Sequence, residues 1–114
     1  MWGEMVVVVE TGEFVRWASG LLEEAECEAL IFYLSCHPEA GDLIRATGGL
    51  RKLRWGLGRR GKRGGARVIY YFHSELMPLY LLAVYTKGER ADLSADDRRE
   101  LRKLADQLRK ANGL

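Results

Sequence analysis

Basic side chains are concentrated in one part of this sequence. Residues 43–74 contain nine of the 18 lysines and arginines and none of the 16 aspartates and glutamates. The rest of the chain has nine basic residues against those 16 acidic ones. Arginine forks and lysine ammonium groups both bind phosphate, and a local block of positive charge indicates an anionic partner at one place. Nucleic acid is the leading candidate.

Three strands are predicted within and after this segment, at residues 50–55, 66–72 and 79–86. Their side chains point alternately to the two faces of a sheet. Leu53, Trp55, Val68, Tyr70, Phe72, Leu82 and Val84 are assigned to a packed face. The open face then holds Lys52, Arg54, Arg67, Ile69, Tyr71, Ala83, Tyr85 and Lys87. Four cations and two phenols without a carboxylate repel one another on neighbouring strands, and a bound anion relieves that repulsion. Aromatic rings and guanidinium planes also stack on unpaired bases, so this face suits single-stranded RNA.

A glycine-rich segment, residues 58–65 (GRRGKRGG), connects two of these strands. It lacks the serine or threonine and the glycine spacing of a phosphate-binding P-loop. We interpret it as an arm that contacts the RNA backbone, the alternative being a solvated hairpin tip. The residues predicted to bind RNA without a catalytic role are Arg51, Arg59, Arg60, Lys62, Arg63 and Tyr71.

Composition limits the remaining possibilities. With 114 residues, 47% of them hydrophobic, the chain is predicted to form a single domain over residues 1–114, with residues 1–4 as an optional extension. Neither an apolar run of about 20 residues nor a signal-peptide pattern is present, so we expect a cytoplasmic protein that does not bind membranes. Two cysteines nine residues apart and two isolated histidines match no metal-binding pattern, and no metal or cofactor is expected.

Periodicity and capping signals predict the order β-α-α-β-β-β-α. The strands are expected at residues 5–10, 50–55, 66–72 and 79–86, with a loop at 39–49. Thr11 is positioned to cap a short first helix, a second helix covers residues 23–35, and Ser94 with Asp97 opens a third that ends near Asn112. The predicted class is α+β, with a three-stranded antiparallel meander and the helices packed against one face of the sheet.

Four segments in order resemble the RelE/HigB superfamily of bacterial toxins, and most closely its HigB-like branch. They are residues 37–42 (HPEAGD), 49–55 (GLRKLRW), 61–71 (GKRGGARVIYY) and 85–94 (YTKGERADLS). The resemblance covers nearly the whole chain from Met5. It implies a RelE-like twisted, mainly antiparallel sheet with two N-terminal helices and one C-terminal helix.

The resemblance also implies a function. Such a protein is the toxin of a toxin–antitoxin system, a ribosome-dependent mRNA endoribonuclease that works without a metal and is inhibited by a cognate antitoxin, usually a small helix-turn-helix protein. By motif position the implied catalytic residues are Lys52, Arg54, Arg67, Tyr85 and Lys87. Residues 88–94 contain no tyrosine, unlike the best-known members, so the general base is left open.

The expected reaction is attack of a ribose 2′-hydroxyl on the adjacent phosphate, with the arginines stabilising the transition state. Lys52 or Lys87 can act as base or acid, and Tyr85 or Tyr71 can stack a base or relay a proton. Two other readings remain: a non-catalytic RNA-binding module that uses the same face, and a structural or inhibitory protein whose basic groove receives an acidic segment.

Overall fold

Five strands and three helices make up residues 5–56 and 65–114, the parts of the chain that the computed structural model describes. In chain order they are β1 (Val8–Glu10), α1 (Gly12–Ala18), α2 (Glu24–Cys36), β2 (Asp42–Leu43), β3 (Leu50–Trp55), β4 (Ala66–Tyr71), β5 (Leu79–Thr86) and α3 (Ala95–Ala111). The predicted α+β class is confirmed. The predicted order lacks β2, because two residues of the expected loop pair with β3.

The strands form one sheet in the order β1-β5-β4-β3-β2. The predicted meander is its centre, where β3, β4 and β5 pair antiparallel with their sequence neighbours. β1 returns to pair in parallel with β5, and α1 and α2 lie in the connection between β1 and the rest of the sheet. The sheet is therefore mainly antiparallel, as expected.

Helices cover both faces of the sheet, whereas the sequence predicted helices on one face only. Val68 and Tyr70 of β4 pack with Phe14 of α1 and with Leu30 and Leu34 of α2. The alternate residues of β4, Ile69 and Tyr71, pack instead with Leu101 and Ala105 of α3. The leucine stripe of α3 lies on the face that the prediction left open to solvent.

A bulge in β5 changes which residues face α3. Ile69 pairs with Ala83, but the next residue, Tyr70, pairs with Leu81, so Leu82 is an extra residue in the ladder. Leu82 and Ala83 consequently both join the core beneath α3. The sequence-based prediction placed Leu82 on the opposite face, together with Val84. It was wrong because strict alternation of side chains fails at a bulge.

Side-chain caps set the starts of two helices where the sequence predicted them. The Thr11 hydroxyl accepts from the Phe14 backbone N–H (3.2 Å) and donates to the Leu81 carbonyl (2.7 Å), which ties α1 to β5. At α3, the Ser94 hydroxyl and the Asp97 carboxylate each accept from the other residue's backbone N–H, which forms a capping box. In the described residues, no helix has the length and apolar character needed to cross a membrane.

The loop between α2 and β2 is held by two side chains from the sheet. The Tyr70 hydroxyl donates to the Pro38 carbonyl and accepts from the Gly41 N–H, both at 2.8 Å. Arg51 donates to the carbonyls of Gly41 (2.7 Å) and Glu39 (3.2 Å). This network allows the backbone of Gly41 to approach the Tyr70 ring closely.

We expect Gly41→Ala to destabilise the protein by about 1–3 kcal/mol, a common cost of overpacking. A Cβ atom at this position would lie 2.9 Å from Tyr70 Cε1 and 3.0 Å from the Lys52 carbonyl oxygen. Urea unfolding measures the change. Gly12→Ala, where a Cβ meets nothing within 4 Å, is the control and should alter stability by less than about 0.5 kcal/mol. Equal unfolding midpoints for the two variants would contradict the prediction.

Candidate functional site

Strand register aligns three of the predicted catalytic residues in one row. Arg54 of β3 lies directly opposite Arg67 of β4, and Arg67 lies opposite Tyr85 of β5. Residues directly opposite each other on antiparallel strands share a face, so the three side chains project from the same face. Lys52, two residues before Arg54 in β3, shares that face as well. The sequence-based prediction of a common face is therefore confirmed for four of the five residues.

Two guanidinium groups opposite each other on one sheet face repel, and the cost falls when an anion lies between them. Arg54 is exposed and Arg67 is partly buried. α3 covers the neighbouring rows of the face, those of Ile69 and Tyr71, but these arginines sit at the end of the sheet where β3 ends and β4 begins. The cationic part of the face is thus confined to one end of the sheet.

Asp92 brings a carboxylate to this face, whereas the sequence predicts a face without one. Its Oδ1 accepts from the Tyr85 hydroxyl (3.3 Å) and from the Leu93 N–H (2.8 Å), and lies 3.6 Å from Lys52 Nζ. Its Oδ2 accepts from Arg98 Nη2 at 3.0 Å. The backbone bond from Leu93, together with Lys52 and Arg98, lowers the pKa of the Asp92 carboxyl.

The pKa of the Tyr85 hydroxyl is raised above its ordinary value. Burial of the ring, followed by the adjacent Asp92 carboxylate, raises the pKa of Tyr85 to about 12, although Arg67 and Arg90 act in the opposite direction. At neutral pH the hydroxyl is therefore protonated and donates a hydrogen bond. It can serve as a donor or an acid, and it is a poor candidate for the general base.

Trp17 and Arg90 extend the site on the side of α1. The Arg90 guanidinium carbon lies 4.6 Å from the centre of the Trp17 ring and 6.0 Å from that of Tyr85. Arg90 also donates to Asp97 at 2.8 Å. Trp17 also packs against both cores. Sequence patterns do not predict its contact with Arg90, because 73 residues separate the two.

The structure does not bring all predicted RNA-binding residues to this site. Arg51 pairs with Tyr70 on the opposite face, and its side chain, 15% exposed, holds the loop before β2. Tyr71 is 2% exposed beneath α3 and cannot stack on an RNA base there. The Tyr85 ring is also 2% exposed, beside Trp17, and cannot stack on a base either. The predicted RNA-binding roles of Arg51 and Tyr71 are therefore wrong. The strand register puts Arg51 on the other face of the sheet, and α3 covers Tyr71.

The remaining predicted residues divide into two groups. Lys87 is exposed in the turn that follows β5. Arg59, Arg60, Lys62 and Arg63 lie outside the described residues. In the part of the chain that the structure describes, no three or more His, Cys, Asp and Glu side chains are grouped to hold a metal ion.

Comparison with known proteins supports the fold. No known protein-family model matches the chain. Among solved structures, a mutant of the E. coli toxin RelE in the free state superposes with a TM-score of 0.52 over 76% of this chain and 88% of RelE, at 16% sequence identity. The chain therefore has a RelE-like fold. The similarity does not distinguish the HigB-like branch from other RelE-like proteins.

The raised pKa of Tyr85 predicts a specific pH dependence of stability. The folded protein holds the Tyr85 proton up to about pH 12, whereas an unfolded tyrosine loses it near pH 10. The stabilising contribution is therefore complete below pH 10 and is lost as the pH rises from about 10 to 12. Tyr85→Phe should be less stable than the wild type at neutral pH, and the difference should narrow above pH 10.

Urea unfolding between pH 8 and 11.5 measures this difference. Tyr33→Phe, which alters an exposed tyrosine of α2, is the control and should follow the wild type in parallel. A constant stability difference between Tyr85→Phe and the wild type over the whole range would contradict the prediction.

Proposed function

We propose that this protein is the toxin of a toxin–antitoxin system, of the HigB-like branch, and that it cleaves mRNA on the ribosome. The observation that carries the proposal is the row of Arg54, Arg67 and Tyr85 beside Lys52, at one end of a RelE-like sheet. This end presents the side-chain types that phosphodiester cleavage needs: guanidinium groups for charge, a protonated phenol and an amine.

The proposed reaction is an in-line transesterification. The ribose 2′-oxygen attacks the adjacent phosphorus as its proton passes to a base, and the bond from phosphorus to the 5′-oxygen breaks as that oxygen receives a proton. The products are a 2′,3′-cyclic phosphate and a 5′-hydroxyl. Arg54 and Arg67, opposite each other across β3 and β4, donate to the non-bridging oxygens, where negative charge accumulates.

Proton transfer is assigned to the remaining residues of the site. Tyr85, protonated at neutral pH because its pKa is about 12, is suited to donate a proton or a hydrogen bond to the leaving 5′-oxygen. Lys52 and Lys87 are the candidates for the base, since Lys52 stands two residues before Arg54 and Lys87 two residues after Tyr85. Lys52 shares the face with the arginine row and pairs there with Asp92 at 3.6 Å, whereas Lys87 is exposed in the turn after β5.

Among the described residues, the proposed site offers lysine amines as its candidates for the base, and the proposal therefore includes positioning of the message by the ribosome. Holding the 2′-hydroxyl in line with the phosphate can contribute up to ~7–11 kcal/mol to catalysis. A ribosome that fixes the message in this geometry would supply what the side chains lack. We propose further that a small helix-turn-helix antitoxin inhibits the protein, that the action takes place in the cytoplasm, and that residues 1–114 act as one domain.

Arg67→Ala should reduce mRNA cleavage about 10²–10³-fold, the usual effect of removing one preorganised donor to a developing oxyanion. Mapping of mRNA 5′ ends after induction in growing bacteria measures the cleavage. Arg99→Ala is the matched control, because Arg99 is an exposed residue of α3 that pairs with Asp96 on the surface. It should cleave like the wild type.

Arg67→Lys separates charge from geometry. It keeps the positive charge but loses the planar fork, so we expect intermediate activity. Circular dichroism of each purified variant establishes that it is folded. Cleavage by folded Arg67→Ala at the wild-type rate would contradict the proposed mechanism. RNA binding with no cleavage by either the wild type or Arg67→Ala would favour a non-catalytic RNA-binding module.

A further inference from the structure

Three donors from three different elements converge on the Asp92 carboxylate. Lys52 comes from β3, Tyr85 from β5 and Arg98 from α3, at 3.6, 3.3 and 3.0 Å from the carboxylate oxygens. An ammonium, a phenol and a guanidinium arranged around one pair of oxygens match a phosphate as well as a carboxylate, since arginine forks recognise both groups. Asp92 occupies the place that such an anion would take.

Arg98 has a donor that the carboxylate does not use. Its Nη2 donates to Asp92, whereas its Nε is enclosed and has no hydrogen-bond partner among the described residues. A buried donor without a partner is costly. The two non-bridging oxygens of a phosphodiester can accept from both Nη2 and Nε of one guanidinium. As placed here, Asp92 leaves Nε without a partner, and a bound phosphate would give that donor an acceptor.

The contacts of Asp92 are of the kind that a ligand can displace. The Asp92 side chain is 45% exposed, and Lys52 and Arg98 are exposed to a similar degree. Exposed ion pairs contribute little to stability. The backbone next to Asp92 is fixed by the buried Leu93 and by the Ser94 cap of α3. Rotation of the Asp92 side chain into water breaks its hydrogen bond from the Leu93 N–H (2.8 Å) and releases Lys52, Tyr85 and Arg98 without moving the helix.

We propose that Lys52, Tyr85 and Arg98 form a phosphate-binding subsite for the RNA backbone, and that Asp92 occupies this subsite in the free protein as an internal anion which the phosphate displaces. The inference rests on the proposed function for its ligand, a phosphodiester of single-stranded RNA. Displacement lowers the affinity for RNA that is free in solution, because part of the binding free energy is used to release Asp92. A message held in place by the ribosome competes with Asp92 more effectively than free RNA does.

Binding of a fluorescein-labelled, single-stranded oligodeoxynucleotide tests the subsite, since this probe has no 2′-hydroxyl and cannot be cleaved. Asp92→Asn keeps an acceptor for the Leu93 N–H but removes the charge, and we expect its Kd to be about tenfold lower than that of the wild type. Asp96→Asn is the matched control. It removes the same charge from an exposed residue at the start of α3 and should bind almost like the wild type.

Arg98→Gln provides a second, independent variant. It should weaken binding at least tenfold and reduce the dependence of log Kd on log salt by about 0.7, the contribution of one phosphate contact on a single strand. Arg99→Gln, its exposed neighbour, is the control for charge. Thermal unfolding of all four variants establishes that the fold is kept.

Two results would overturn the inference. One is an affinity of Asp92→Asn equal to or weaker than that of the wild type, and the other is wild-type affinity of Arg98→Gln. Both are independent of cleavage. If Asp92→Asn binds the probe more tightly but neither the wild type nor any variant cuts translated mRNA, the phosphate subsite is supported and the proposal of a nuclease is wrong. If the wild type cuts mRNA but Asp92→Asn binds no better, the nuclease stands and the subsite fails.

Discussion

Repulsion among cations at one end of the sheet is the constraint on which this site depends. Arg54 and Arg67 are forced together by the register of β3 and β4, and Lys52 follows on the same face. Such a group is tolerated only if anions or water screen it. In the free protein one carboxylate, that of Asp92, accepts from Arg98 and Tyr85 and forms an ion pair with Lys52 at 3.6 Å. Because this screening charge belongs to a side chain, it can be exchanged for the charge of a ligand.

Helix α3 decides how large the cationic surface is. Its apolar stripe packs onto Ile69, Tyr71, Leu82 and Ala83, which closes one half of the face. Its N-terminal turn brings Arg98 to the edge of the other half, where Asp92 and Lys52 lie. The same helix thus completes a second hydrophobic core and supplies a donor to the site. A face that reads in sequence as one long binding surface becomes a short site at the end of the sheet.

Local patterns predicted four of the five described strands, the Thr11 and Ser94 caps, and the row of Arg54, Arg67 and Tyr85, because each of these depends on residues close together in the chain. Alternation was enough to place Arg54, Arg67 and Tyr85 on one face. It was wrong for Leu82, since a bulge shifts the ladder by one residue. It also said nothing about which face a helix covers, which is why Tyr71 was expected to be open. Asp92 and Arg98 were missed because they enter the site from a loop and a helix. The available signal was weak: Asp92 stands two residues before a helix cap, where the chain turns back over the sheet.

The acidity of Tyr85 is coupled to whichever anion occupies the site. With Asp92 in place, burial and the carboxylate together keep the hydroxyl protonated. A phosphate that displaces Asp92 brings negative charge to the same position, so the phenol stays protonated when substrate is bound. In the proposed reaction, negative charge develops on the leaving oxygen, and a donor already held in place needs no reorganisation to stabilise it. This argues that Tyr85 acts on the leaving-group side of the reaction, and that activation of the 2′-hydroxyl falls to an amine or to the ribosome.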